Sequence, residues 1–299
     1  MKKLTVYLLA ILAIAVVSLS FISCGDPDDP DVPDVPDVPG FTGAGVYNPG
    51  KKVSKVYLKM DDEAEYLAEE WEWNGNKLIS ISHFEEGELI NKEVFTYENN
   101  RLIQSENSEG NYSEYFYADN QYAKVKSYDS TGLATMDIVF QYDGDKVTSL
   151  TVYNYGPAKN AKKMIERGFV GKLLPGEARR IVADKLANSF EEEPPVITLT
   201  YDGDNLSSLN TGSVVINYSD YDTHSNHYSN FFPLSAGGVS INAESFSKNN
   251  IGRTEIQYGS LNIVALYTYT YVDNFPATVR ADVTFMGETS VIVQRIEYK

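Results

Sequence analysis

The chain has 299 residues, of which 42% are hydrophobic, and it carries a formal charge of −17 at pH 7. The hydrophobic content is sufficient for a core in one large domain or two small ones. Because the acidic charge repels nucleic acid and anionic lipid surfaces, we expect no nucleic-acid partner. The chain contains a single cysteine, Cys24, so no disulfide can form within it.

Residues 1–23 have the three parts of a secretory signal peptide. Lys2 and Lys3 provide the positive charge, residues 6–17 form an uncharged apolar run, and small residues precede Cys24. The alternative is a membrane-spanning helix over residues 4–22, which are nearly enough to cross a bilayer. The position of the only cysteine directly after this segment favours the signal peptide.

The segment Phe21-Ile22-Ser23-Cys24 resembles the lipobox of bacterial lipoproteins, with Phe21 at the position where Leu is usual. The resemblance implies that a peptidase cuts before Cys24 and that the Cys24 thiol carries a lipid, through which alone the protein meets the membrane. Loss of Lys2 and Lys3 would give the mature chain a formal charge of −19. With Cys24 lipidated, no thiol remains for a metal site or a nucleophile.

Residues 24–50 are predicted to form a linker between the lipid and the folded domain. Aspartate and proline dominate residues 26–39, and this run should be extended because proline restricts φ and the aspartates repel one another. Acidic residues directly after a lipidated cysteine resemble the surface-export signal of lipoproteins from Gram-negative gut bacteria. The resemblance implies an outer-membrane protein that faces the cell surface, and retention on the periplasmic face is the alternative.

Residues 51–299 are predicted to form one antiparallel β domain. The chain contains 22 Tyr, 13 Phe and 2 Trp, and aromatic residues suit pleated sheets. The alternation of residues agrees with this prediction. Ile138, Phe140 and Tyr142 fall on one face of a strand, and Asp137 and Gln141 fall on the other.

A degenerate eight-residue repeat organises this domain. Each copy ends a strand with an aromatic residue at its third position, continues through a turn rich in Asn, Asp and Gly, and opens a new strand. Such turns are typical of tight hairpins in which positive φ is needed. The repeat predicts an up-and-down meander curled into a barrel or half-barrel. The five copies are residues 71–78, 95–102, 115–122, 140–147 and 199–206.

A segment at residues 157–194 interrupts the repeat. Apolar residues with helical spacing predict a helix over about residues 176–190. The segment holds eight of the 25 basic residues of the chain. It is interpreted as a short helical insert that caps an open end of the sheet and pairs with carboxylates. The alternative is a docking surface for an anionic glycan or an acidic partner.

The Tyr-Asp-Gly-Asp turns at 142–145 and 201–204, with the segment 271–277, resemble an uncharacterised family of gut-bacterial lipoproteins with a porin-like β fold. The repeat is more distantly similar to the tyrosine-aspartate repeats of large secreted shell-forming proteins, although it lacks their regular later glycine. The family carries no catalytic residues that could be transferred to this chain.

The porin-like fold need not imply a membrane-spanning barrel. Membrane strands are about 9–11 residues long with an apolar lipid-facing stripe, whereas the predicted strands at 77–84 and 101–107 are shorter and contain Ser, Gln and Glu. The chain also ends in Lys299 and not in an aromatic residue. These features favour a barrel in water that is held outside the membrane by its lipid.

The sequence contains none of the usual catalytic or phosphate-binding motifs and only three histidines. Asp220, Asp222, His224 and His227 lie within eight residues, as metal ligands sometimes do. A polar loop accounts for the same residues, because metal binding requires side chains that converge in space. We therefore expect no metal and no cofactor.

Two functions fit these patterns. The first is a surface-anchored, non-catalytic lipoprotein that binds a glycan or an envelope protein, or has a structural role in the cell envelope. Trp71 and Trp73 are its candidate ligand-binding residues, since aromatic rings stack on sugars and anchor protein contacts. They share a strand face and would serve equally as sheet core. The second function is a glycoside-active surface hydrolase whose carboxylate pair no motif marks.

Overall fold

The structure, a computed structural model, describes residues 50–119, 121–155, 194, 196–212, 214–229, 243–259 and 261–299. The predicted signal peptide, the lipidated Cys24, the linker up to residue 49 and the predicted helical insert apart from Pro194 lie outside these residues. No helix in the described part of the chain is long and apolar enough to span a membrane.

Within the described residues, sixteen antiparallel strands form a closed barrel. Each strand pairs with its neighbours in sequence, and the last strand pairs with the first, as Val56 with Ile296. The predicted up-and-down meander is therefore confirmed, and it closes completely. The strands are β1 (Val53–Met60), β2 (Tyr66–Asn74), β3 (Lys77–Glu85), β4 (Glu88–Glu98), β5 (Arg101–Asn107), β6 (Tyr112–Ala118), β7 (Gln121–Tyr128), β8 (Ala134–Asp143), β9 (Lys146–Asn154), β10 (Val196–Asp202), β11 (Asn205–Asn210), β12 (Val215–Ser219), β13 (Arg253–Tyr258), β14 (Leu261–Val272), β15 (Phe275–Phe285) and β16 (Glu288–Tyr298).

Strand length varies around the barrel from 5 residues in β12 to 12 residues in β14. Short strands are expected from the sequence; β5 has 7 residues as expected, whereas β4, β15 and β16 have 11 residues each. Strand length therefore does not separate this barrel from one that spans a membrane. The chemistry of the two faces of the strands is the informative property.

The inner faces of all sixteen strands contribute to one hydrophobic cluster. The predicted faces of β8 agree with this, because Ile138 and Phe140 are buried while Gln141 is exposed. Asp137 lies on the outer face as predicted, but it is also buried. Burial raises the pKa of its carboxyl group, and the charges of Lys126 and Lys124 oppose this shift.

The tight turns of the repeat lie together at one end of the barrel, which we call the repeat-turn end. Segment 269–276 is a sixth copy, since it forms the turn between β14 and β15. The prediction that these turns need positive φ is confirmed. The turn residues with positive φ are Gly75, Asn99, Asn100, Asp119, Gly144, Gly203, Asp273 and Asn274.

A β-bulge lies next to each of these turns. The register shifts opposite the third-position aromatic residue of the repeat, and the extra residue belongs to the strand that follows the turn, as Ile79 does in β3. A bulge adds one residue to one strand and bends it, and it interrupts the regular hydrogen-bond ladder. The aromatic residues of five copies pack in the barrel interior because each lies two positions after a buried residue of the same strand; they are Trp73, Tyr97, Tyr117, Tyr142 and Tyr201. The bulges lie at Glu72/Trp73, Thr96/Tyr97, Phe116/Tyr117, Gln141/Tyr142, Thr200/Tyr201 and Thr270/Tyr271.

Neighbouring hairpins separate at the repeat-turn end, and aromatic side chains bridge the gap. The pairing between β5 and β6 covers only Gln104–Glu106, so the ladder does not reach the carbonyl group of Leu102. The hydroxyl of Tyr117 donates to that carbonyl group at 2.8 Å. Equivalent hydrogen bonds join Tyr201 to Val147, Tyr221 to Leu206, Tyr298 to Pro276 and Trp73 to Val53, at 2.9, 2.5, 2.6 and 2.7 Å. We call these contacts the inter-repeat hydrogen bonds.

Polar side chains that follow the turns make a second set of links, on the rim of the same end. Each donates to a backbone carbonyl group in the turn of the next hairpin. The pairs are Lys52 to Gly75 at 2.8 Å, Arg101 to Asp119 at 2.8 Å, Gln121 to Gly144 at 2.7 Å and Lys146 to Gly203 at 2.5 Å. The seventh position of the repeat therefore connects successive turns in three copies, through Arg101, Gln121 and Lys146, and Lys52 makes the same kind of contact from the residue before β1.

Replacing Tyr117 with Phe should lower the free energy of unfolding by about 1–3 kcal/mol, because the buried Leu102 carbonyl group loses this donor while the ring remains. Urea denaturation with an unchanged m-value measures this loss. The control is Tyr153→Phe, because Tyr153 faces outward from β9 and its hydroxyl makes no hydrogen bond within the described residues. The control should change the stability by no more than about 0.5 kcal/mol. Equal losses in the two variants would contradict the role of the inter-repeat hydrogen bonds.

Candidate functional site

The two candidate ligand-binding residues, Trp71 and Trp73, lie inside the barrel on β2. Trp71 is 2% exposed, and its indole nitrogen donates to Glu69 Oε2 at 2.9 Å. The two indole rings stack with their centres 6.3 Å apart and their planes at 22°. This packing matches the core alternative that the sequence left open. A direct role of the pair in ligand binding stays a prediction.

A polar cluster of two glutamates and a histidine lies next to Trp71 on the inner face. The strand register places Glu69 opposite His83. His83 Nδ1 lies 3.6 Å from Glu69 Oε1, and His83 Nε2 lies 3.9 Å from Glu93 Oε1. The imidazole therefore lies between two buried carboxyl groups, those of Glu69 and Glu93.

Sequence reasoning missed this cluster because Glu69 and Glu93 are two of 42 acidic residues. The available signal was the period of two residues within a strand, since Glu69 precedes Trp71 by two positions and Glu93 precedes Phe95 by two. That period places both glutamates on the inner face. The meeting with His83 depends on the register between strands, which the repeat alone does not give.

His227 is buried among aromatic rings at the repeat-turn end. Its ring centre lies 3.9 Å from that of Tyr228 and 6.2 Å from that of Tyr298. Burial lowers the pKa of His227 to about 3, and the charge of Glu69 opposes this shift only in part. His227 is therefore neutral near pH 7 and acts as a packing residue.

Asp222 and His224 belong to the connection between β12 and β13. Asp222 Oδ1 accepts from the backbone nitrogen of His224 at 2.9 Å, and its carboxylate also accepts from Asn250 and from the Tyr271 hydroxyl. The His224 ring stacks on Tyr271 with the centres 3.8 Å apart. These contacts fasten the connection to β14.

The structure brings together only Asp222 and His224 of the four residues that the sequence offered as metal ligands, with His224 Nδ1 3.8 Å from Asp222 Oδ2. Asp222 and His224 hold the connection, and His227 points into the aromatic cluster with Tyr298. The described residues contain no group of three or more His, Cys, Asp or Glu side chains arranged to hold a metal ion. The backbone at Asp220 has positive φ and approaches Gly252 so closely that a Cβ there would clash with the Asp220 carbonyl oxygen.

The same connection forms one wall of a cleft at the repeat-turn end. Asn205 Oδ1 accepts from the backbone nitrogens of Lys248 and Asn249 at 3.0 and 2.9 Å, and Ser247 Oγ accepts from Leu206 N at 3.1 Å. The cleft has a volume of about 250 Å³. Its lining includes Asp145, Lys146, Tyr201, Asp204, Phe246 and Lys248.

Replacing His227 with Gln should reduce the loss of stability in acid. In the parent, the unfolded state binds a proton on His227 below about pH 6.5 that the folded state does not bind until about pH 3, so stability falls as the pH falls through this window. This residue should account for about 2 kcal/mol of the loss between pH 8 and pH 5. Urea denaturation at both pH values measures the difference. The control His224→Gln keeps His227 and should keep this loss, whereas parallel curves for parent and His227→Gln would contradict the prediction.

No family model and no curated protein matches the chain. Among solved structures, it is similar to a porin-like protein from Bacteroides uniformis ATCC 8492, with 16% identity, coverage of 85% of this chain and 99% of that chain, and a TM-score of 0.49. It is also similar to a porin-like protein from Bacteroides vulgatus ATCC 8482, with 12% identity, coverage of 83% and 99%, and a TM-score of 0.42.

Proposed function

We propose that this chain is a non-catalytic protein of the bacterial cell envelope, anchored by a lipid on Cys24, that binds a glycan or an envelope protein with its barrel. The observation that carries this proposal is the polarity of the barrel. Its inner faces form one hydrophobic cluster, whereas its outer faces carry mainly charged and hydroxyl-bearing residues. A membrane-spanning barrel has an apolar outer band and a polar interior, which is the reverse arrangement.

Individual strands illustrate this polarity. On β2 the outward residues Glu70 and Glu72 are exposed, and on β10 the outward residues Thr198, Thr200 and Asp202 are exposed. Exposed apolar residues such as Leu266 and Val272 are separated along β14 by Thr268 and Thr270. A scattered pattern of this kind is ordinary for a surface in water. It supports a barrel held clear of the bilayer.

The lipid and the linker complete this proposal. A lipid on Cys24 would supply the membrane attachment that the polar outer face does not supply. The acidic, proline-rich linker would hold the barrel away from the lipid headgroups, and it favours the outward-facing side of the outer membrane. A closed barrel whose connections include the long segment between β12 and β13 is suited to presenting a binding surface in this position.

A second candidate function is hydrolysis by a carboxylate pair, and the cluster of Glu69, His83 and Glu93 is the observation that favours it. Glycoside cleavage usually requires two carboxyl groups, one that acts as an acid and one that acts as a base or nucleophile. Release of nitrophenol from a panel of nitrophenyl glycosides tests this function. Activity that Glu69→Gln and Glu93→Gln abolish would support it. No turnover by the parent, with lower stability in both variants, would assign the cluster to the core.

Replacing Cys24 with Ala should release the protein from the membrane fraction, because one lipid-bearing residue would be its anchor. Fractionation of cells followed by immunoblotting measures the distribution. The control is Ser23→Ala, which keeps both the cysteine and a small residue before it and should leave the protein in the membrane fraction. Unchanged membrane association of the Cys24→Ala protein would contradict the lipid anchor.

A further inference from the structure

The cleft at the repeat-turn end lies where the repeat departs from its own pattern. The sixth position of the repeat is Asn in four copies, at Asn76, Asn100, Asn120 and Asn274. In the two remaining copies it is Asp145 and Asp204, and both of these line the cleft. The turns at Asn76, Asn100 and Asn274 form with Asn at this position, so the turn does not require the carboxylates of Asp145 and Asp204.

The walls of the cleft are held in place before any ligand binds. The Tyr201 hydroxyl donates to the Val147 carbonyl group at 2.9 Å, which fixes the ring between β9 and β10. On the opposite wall, Asn226 Nδ2 donates to the carbonyl groups of Glu244 and Ser247 at 2.7 and 3.1 Å. A preorganised site loses little conformational entropy on binding, so even a small ligand can be held.

The charges in the cleft disfavour an anionic ligand. Lys146 Nζ donates to the Gly203 carbonyl group at 2.5 Å, and Lys248 Nζ pairs with Asp204 Oδ2 at 3.2 Å. Two carboxylates therefore balance two ammonium groups that already have acceptors. The exposed carboxylate of Asp145 adds a strong acceptor for a ligand that donates hydrogen bonds.

The apolar part of the cleft is aromatic. Tyr201 and Phe246 contribute rings beside these polar groups. The volume of about 250 Å³ is below the roughly 300–1,000 Å³ of sites for drug-sized ligands, which limits the occupant to about one small ring. A pyranose has one apolar face and several hydroxyl donors, and it matches this combination of aromatic surface and carboxylate acceptors.

We propose that this cleft binds one pyranose residue of a neutral glycan, with the carboxylates of Asp145 and Asp204 accepting hydrogen bonds from its hydroxyl groups. This inference rests on the proposed function as a binding protein and names its site and ligand class. The partly exposed ring of Tyr201 provides the aromatic contact, with Lys146 Nζ 5.5 Å from its centre, and the buried Phe246 supports it. Trp71 and Trp73, which the sequence suggested for this role, lie elsewhere in the barrel interior.

The test uses the full-length protein in a zwitterionic detergent without sugar groups, titrated with the methyl pyranosides of glucose, galactose and mannose and followed by NMR. The double variant Asp145→Asn/Asp204→Asn places in both turns the residue that the other four copies carry, so the fold should be kept. We expect at least one pyranoside to bind the parent and its Kd to rise at least tenfold in the double variant.

The control is Asp119→Asn, which removes a carboxylate from another turn at the same end and introduces the residue that the second copy has at Asn99. This variant should bind as the parent does, and equal weakening in both variants would overturn the assignment. Tighter binding of methyl glucuronide than of the neutral pyranosides would overturn the ligand class. Absence of pyranoside binding would overturn the assignment of the cleft as a glycan-binding site. The proposed function would still stand if Cys24 anchors the protein and the barrel captures a purified envelope protein.

Discussion

Hydrogen bonds from aromatic side chains to backbone carbonyl groups hold the repeat-turn end of the barrel together. Each bulge adds a residue to the strand that follows the turn, and the ladder to the next hairpin stops short, as between β5 and β6. A buried carbonyl group without a donor would cost about 1–3 kcal/mol. The Tyr117 hydroxyl and its equivalents supply the missing donor, so the hairpins can separate without that loss.

This constraint accounts for the aromatic residue at the third position in three of the six copies of the repeat. The side chain must be long and rigid enough to cross the gap between hairpins, and it must carry a donor at its far end. Tyr meets both conditions at Tyr117 and Tyr201, and Trp meets them at Trp73. The same ring also fills the barrel interior, so one residue serves both the core and the backbone.

The polarity of the barrel follows from the same arrangement. Aromatic rings and aliphatic side chains fill the interior, which leaves the alternating outward positions to Glu, Thr, Lys and Arg. Two places depart from this rule. The cluster of Glu69, His83 and Glu93 puts charge inside the barrel, and the cleft beside Tyr201 puts two carboxylates where the repeat elsewhere has Asn. Local departures from a strong pattern are where a binding role is most readily sought.

The sequence by itself determined the β class, the hairpin turns, the positive φ of the turn residues and the meander. These features depend on neighbours within a few residues, such as the Asp-Gly and Asn-Asn pairs of the turns, and on the period of two residues within a strand. Whether Trp71 is buried could not be decided from the sequence. The period of two residues shows which side chains share a strand face, but not what covers that face.

Only the tertiary structure decided the closure of β1 on β16, the meeting of Glu69 with His83 and the assembly of the cleft. Val56 and Ile296 are 240 positions apart, and Asn205 holds Asn249 from 44 positions away. Contacts over such distances depend on strand register and on how the β12–β13 connection folds back, and neither leaves a periodic signal in the chain. The hydrogen bond from Tyr117 to Leu102 is also decided by the tertiary structure, because it forms only where β5 and β6 separate at the repeat-turn end.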